Sequence, residues 1–160
     1  PTLCVMNGNV FGGGCELAMS CDFRLASEDI VMRVPASAIG LCYPIEGIER
    51  MVNRLGVTLA KRILVAAEEF SAQQMLEFGI VSRLISEDQL IAESNLTAKM
   101  LAQRAPLAVA AMLKIIRQAE RGGINVKEAR ELAAFCSESD DLQEGLLAQK
   151  ERRAPIFRGV

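Results

Sequence analysis

The sequence predicts an α/β fold, a partial βα layer over residues 1–57 followed by a helical region over residues 58–160. Three observations predict it. An apolar run, residues 3–6, enters a turn at Asn7-Gly8 and passes Gly12-Gly13-Gly14 into a dense helix-like segment, residues 15–21. Two short strand candidates follow, Phe23-Arg24-Leu25-Ala26 and residues 30–34, separated by the polar turn Ser27-Glu28-Asp29. Near residue 57 the glycine- and strand-rich composition gives way to helix caps and a 3.6-residue apolar period.

The elements after Pro35 are read from their punctuation. Residues 36–44 are irregular, marked by Gly40 and Pro44. A helix over residues 45–55 stops at Gly56, and Thr58 can cap the next, residues 59–66. Ser71-Ala72-Gln73-Gln74 is a capping box for a short helix that Gly79 closes. Residues 80–85 read as extended, and Ser86-Glu87-Asp88-Gln89 is a second capping box for a helix to about Arg104. Pro106 suits a helix first turn, and Val109, Met112, Leu113 and Ile116 follow the i, i+3, i+4, i+7 rule. Gly122-Gly123 ends that helix. Asn125 caps one with an inner face of Val126, Ala129, Ala133 and Cys136, and Ser139 caps the last. Met19, Met51, Met75, Met100 and Met112 are expected to fill the core.

Composition narrows the function. At 160 residues, with 51% hydrophobic and 24% charged residues, the chain can bury a core and is not of disordered type. A net charge of −2 argues against nucleic-acid binding. No run of ~18 apolar residues predicts a membrane-spanning helix, and no signal-peptide pattern opens the chain. Five cysteines without CxxC pairing point to a reducing compartment. The absence of histidine removes Ser-His-Asp and Cys-His catalysis and argues against zinc catalysis, so no metal site is expected.

Chemistry concentrates around Glu16, the only charged residue between Pro1 and Cys21. Burying a lone carboxylate among Cys, Leu, Ala and Met disfavours its ionised form, which suits general acid/base work near neutral pH. Three glycines before it would leave backbone N–H groups bare at a helix N-terminus, where they can meet a developing negative charge. Each feature also has a structural reading. The glycines can be only a tight strand-to-helix turn, and Glu16 can be half of a salt bridge, for which Arg24 is the nearby partner. Arg117, Arg121 and Arg130 read as solvated helix faces.

The run N-G-x-x-x-G-G-G-C-E-L-A-x-x-C-D over residues 7–22 resembles the signature of the crotonase family, the enoyl-CoA hydratases and isomerases. The resemblance continues in order through Ala26-Ser27-Glu28, Pro35, Gly40-Leu41, Gly47-x-x-Arg50, Phe70-Ser71-Ala72, Gly79-Ile80-Val81, Ala105-Pro106-Leu107-Ala108, Gln143-Glu144-Gly145 and Arg152-Arg153-x-Pro155-x-Phe157. It implies a crotonase-like fold whose helical region mediates trimer contacts. It also implies that Gly13 supplies one oxyanion-hole N–H to an acyl-CoA thioester and that Glu16 is an acid/base carboxylate. Gly12, Gly14, Pro35, Ala36 and Tyr43 are then candidate substrate-binding positions. In relatives the tail helps cover the CoA, often of a neighbouring subunit, which makes Lys150, Arg153 and Phe157 candidates there. Coenzyme A enters as part of the substrate and no separate cofactor is implied. The expected partner is the chain itself, as a homotrimer or dimer of trimers, in the cytoplasm or, in a eukaryote, the mitochondrial matrix. Because family members carry further sheet before the point matching Pro1, the resemblance leads us to expect a C-terminal portion of such a protein.

The sequence departs from that pattern at Ala36. Hydratases of the family have a second glutamate directly after the proline matching Pro35, and alanine cannot transfer a proton. Tyr43-Pro44-Ile45-Glu46-Gly47 stands where the family has Pro-Gly-x-Gly-Gly, and Tyr43 and Glu46 are the candidate substitutes. The expected function is turnover of an acyl-CoA through an oxyanion-stabilised enolate. The alternative is a non-catalytic acyl-CoA-binding or oligomeric scaffold protein.

Overall fold

Leu3–Met6 forms β1 and pairs in parallel with β3, Phe23–Ser27, which pairs in parallel with β6, Arg83–Ile85. Parallel neighbours need a crossover, and α1, Gly13–Ser20, makes the first one. Val5 lies opposite Leu25, which in turn lies opposite Arg83. A second sheet has the order β2 (Val10–Phe11), β4 (Val31–Arg33), β5 (Phe70–Ser71), with β2 parallel and β5 antiparallel to β4. β2 springs from the turn that the sequence marks at Asn7-Gly8, and the Gly12 N–H donates to the Arg33 carbonyl at 3.0 Å. The entry to α1 is thereby fixed against β4.

α2 spans Ile45–Leu64, but Gly56 within it has φ 78° and ψ 161°, a conformation open to glycine. Two helical segments therefore meet at Gly56, as the sequence predicts. Ser71 caps α3, Ala72–Glu77, with the full capping box: its hydroxyl accepts from the Gln74 N–H while the Gln74 side chain accepts from the Ser71 N–H. α4 covers Glu87–Ala102.

The structure, a computed structural model, describes all residues from Pro1 to Val160. Its contacts form two units, Thr2–Leu96 and Thr97–Val160 with Pro1, so the division falls inside α4. Composition changes near residue 57, yet Leu59, Ala60, Ile63, Phe70, Met75 and Ile80 share one apolar core with Met6, Cys15, Met19 and Met32. The segment after residue 57 thus completes the α/β layer before the helical unit begins. Met19, Met51 and Met75 are fully buried, as expected. Met100 and Met112 are not: they lie on helix surfaces, 45% and 55% exposed.

The helical unit contains α5 (Pro106–Glu120), α6 (Val126–Ser137) and α7 (Asp140–Glu151). Pro106 opens α5, Asn125 Oδ1 accepts from the Glu128 N–H, and Ser139 Oγ accepts from the Leu142 N–H, so the three predicted starts are present. Its core is thin: Ala111 and Ala148 are its buried apolar residues. Val126, expected on the inner face of α6, is 55% exposed. The chain after Arg152 folds back on α7. The Arg158 and Gly159 N–H groups donate to the buried Asp141 carboxylate, and the Ile156 N–H donates to Glu144.

Candidate active site

The site grows out of the N-terminus of α1. Gly12 is the N-cap, at φ 49°, with no side chain to satisfy the first amides of the helix. Its carbonyl accepts from the Cys15 N–H at 3.0 Å and, more loosely, from the Glu16 N–H at 3.4 Å. The Gly13 and Gly14 amides belong to the first turn, whose N–H groups have no partner within a helix, and both residues are exposed. A Cβ on Gly13 would meet nothing within 4 Å, whereas one on Gly14 would lie 3.3 Å from Val10 Cγ1. Gly13 is thus exposed and uncrowded at its α-carbon, and its N–H, in the turn whose amides the helix leaves unpaired, is available to a ligand oxygen.

Glu16 lies one turn further on. One carboxylate oxygen, Oε1, accepts from Arg50 Nη1. The other, Oε2, is buried and has no hydrogen-bond partner. Arg50, not Arg24, is therefore the counter-charge. Arg24 donates instead to the carbonyls of Ile80 and Cys21, at 2.6 and 2.7 Å. The wall behind Oε2 is Gly47, where a Cβ would sit 2.9 Å from that oxygen and 2.5 Å from Tyr43 Cε1. Only a residue without a side chain lets α2 approach this closely.

α2 holds α1 at both ends. Arg50 takes Glu16, and Arg54, one turn later, donates to the carbonyls of Met19 and Cys21 at the C-terminus of α1. Cations there complement the helix dipole, and α1 has no basic residue of its own in its last turn. Gly47, Arg50 and Arg54 are contributions that sequence reasoning did not assign. Their signal was the i, i+3, i+4, i+7 spacing of Gly47, Arg50, Met51 and Arg54, one face of α2.

Tyr43 joins the two sides of the site. Its hydroxyl donates to the Gly12 carbonyl at 3.2 Å and its ring lies against Gly47. Burial, and then the neighbouring Cys15, push its phenol up. Glu46, the other candidate substitute, is exposed. Cys15 is buried and donates to the carbonyls of Val10 and Arg33 at 3.2 and 3.4 Å. Burial pushes its thiol up to about 11, so it is no nucleophile at neutral pH. Pro35 is half-buried, and Ala36, 5% exposed, points its methyl into the apolar core.

The remaining candidates lie in the helical unit. Lys150 is exposed in the last turn of α7. Arg153 is clamped by both oxygens of Glu144, at 2.6 and 2.7 Å, and by Glu151 at 2.7 Å. The Arg153 guanidinium, helped by the Ile156 N–H, holds the Glu144 carboxyl at about 2. Phe157 lies against Gly145 and lines an apolar groove of about 480 Å³ between α5, α6 and α7.

Comparison with known proteins identifies the family of the chain. The family model for enoyl-CoA hydratase/isomerase matches residues 1–160. The chain is 29% identical to the 2,3-dehydroadipyl-CoA hydratase of Escherichia coli (strain K12) over 99% of its own length and 63% of that protein's. It is 30% identical to the carnitinyl-CoA dehydratase of Salmonella typhi over the same shares. Among solved structures, an enoyl-CoA hydratase/carnithine racemase from Magnetospirillum magneticum superposes with a TM-score of 0.89 at 28% identity, covering 100% of this chain and 60% of that one. The chain thus spans less than two thirds of the length of these relatives. With the whole sequence matched and the fold shared, it belongs to the enoyl-CoA hydratase/isomerase, or crotonase, family.

Proposed function

We propose that the intact protein acts on an acyl-CoA thioester through an oxyanion-stabilised enolate, with the Gly13 N–H as a donor to the thioester oxygen and Glu16 as the acid/base. The observation that carries this reading is the exposed Gly13 at the start of α1, one helical turn from a carboxylate whose Oε2 is buried and unpartnered. An amide aimed at a developing oxyanion needs no reorganisation when the charge forms, and a carboxylate oxygen without a competing donor is free to take a proton. Ala36 buries its methyl in the core, so the reading uses one carboxylate, and proton removal and return both fall to Glu16. This suits isomerisation or another enolate reaction better than two-carboxylate hydration.

Gly12 and Gly14 flank the donor, Pro35 would be a further substrate contact while Ala36 turns its methyl into the core, and Lys150 and Phe157 would be the tail's contacts with CoA. Arg153 can reach a phosphate only by leaving Glu144. We further propose a homotrimer or dimer of trimers working in the cytoplasm, with the helices of the Thr97–Val160 unit as its assembly and CoA-covering region. The decisive experiment is Glu16→Gln in the intact protein, assayed with crotonyl-CoA and related thioesters. Turnover should fall by at least two orders of magnitude with circular dichroism unchanged; unchanged turnover removes Glu16 from the mechanism.

A second reading, an acyl-CoA-binding protein without turnover, is favoured by the Arg50 contact that occupies Glu16 Oε1. Calorimetry that finds tight acyl-CoA binding, with no thioester turned over, would select it.

A further inference from the structure

We propose that Tyr43 is a positioning residue for the oxyanion donor: its phenol holds the Gly12 carbonyl, and so sets the peptide plane that carries the Gly13 N–H. The inference rests on the role given above to Gly13. The Gly12 C=O and the Gly13 N–H belong to one planar trans peptide and point in opposite directions. Whatever fixes the carbonyl therefore aims the amide. The helix alone holds this carbonyl unevenly, with the Cys15 N–H at 3.0 Å and the Glu16 N–H at 3.4 Å. Gly12 has no Cβ to restrict rotation of that plane, and no side chain caps this helix end. The Tyr43 hydroxyl at 3.2 Å is the one contact on this carbonyl from outside α1.

The ring that carries this hydroxyl is itself held. It fills the space at Gly47, beside Glu16 Oε2, so one side chain touches both halves of the site. Its titratable neighbours are Glu16, paired with Arg50, and Cys15. The phenol stays protonated, and therefore able to donate, through neutral pH, because burial raises its ionisation range.

Tyr43→Phe keeps the ring and deletes the donor. We expect the residual dipolar coupling of the Gly13 N–H to change in the glycine-labelled variant while that of Gly123 stays put. Where the wild type turns over a thioester, kcat should fall ~5-fold with KM unmoved, the loss of about one neutral hydrogen bond. An unchanged Gly13 coupling overturns the inference whether or not any thioester is turned over. A wild-type protein without turnover defeats the proposed function instead and leaves the coupling to decide Tyr43. Tyr43 is the only tyrosine, so growth on 3-fluorotyrosine alters this side chain alone and serves if the Phe variant does not fold. Fluorination acidifies the phenol, so the pH at which the Gly13 amide signal moves should fall; an unmoved transition also overturns the inference.

Discussion

Gly47→Ala tests the geometry on which the candidate site depends. In an ordinary helix this change stabilises by about 1 kcal/mol. Here the new Cβ would sit 2.5 Å from Tyr43 Cε1 and 2.9 Å from both Tyr43 Cδ1 and Glu16 Oε2. The Tyr43 ring must retreat by about 1 Å to reach ordinary contact, which costs ~1–3 kcal/mol. That retreat draws its hydroxyl, already at 3.2 Å, out of reach of the Gly12 carbonyl, at about 1 kcal/mol more. The balance is a net loss of ~1–3 kcal/mol, read as a fall of ~1 M in the urea midpoint with an unchanged m-value. Gly13→Ala is the control: nothing lies within 4 Å of its Cβ, so stability should hold. If Gly47→Ala proves as stable as the wild type, helix propensity outweighs the contact and the close approach of α2 to Glu16 is not a constraint.

Three further outcomes follow from burial and charge. Ala36→Glu places a carboxyl where the methyl is 5% exposed in the core; stability should drop by ~3 kcal/mol at pH 7 and less at pH 4, where the group is protonated, in urea titrations at both pH values. Cys15 keeps its proton in the folded state to about 11, above its ordinary 9.0; its contribution is complete below pH 9 and is lost as pH rises through 11, so wild-type stability should fall across that window more steeply than that of Cys15→Ala. Ile116 and Phe135 are 58% and 61% exposed on helices whose unit buries little else, so the intact protein should sediment as an oligomer that Ile116→Asp dissociates without unfolding; an unchanged mass for the variant would remove this face from the interface.

What the sequence made legible was local. β1, the glycine turn, α1, the Ser71 capping box, the Gly56 break and the Asn125 and Ser139 caps each depend on neighbours within about one turn. What it hid was tertiary. Glu16 and Arg50 are 34 residues apart, whereas Arg24 is closer in sequence and was the partner expected; only the crossing of α2 over α1 decides between them. β2 and β5 have two residues each, too few to show a period. Ile63 lies in the region that the resemblance assigns to trimer contacts, but it fills the core of the α/β unit. The change in composition near residue 57 records where strands stop, not where contacts do, so the helices that close the α/β core looked like part of the next unit.

The methionines of the α/β unit have a wider consequence. Met6, Met19, Met32, Met51 and Met75 are each no more than 3% exposed. An unbranched thioether with three rotors can refill a gap when a neighbour changes size. Such a core can absorb a change in one side chain with little movement of the backbone. The same plasticity carries an oxidative weakness. A sulfoxide formed during a transient opening would strand a polar oxygen in this interior and bar the way back. Ageing under peroxide should then damage this unit through its breathing motions, and methionine sulfoxide reductases would decide how long the fold lasts.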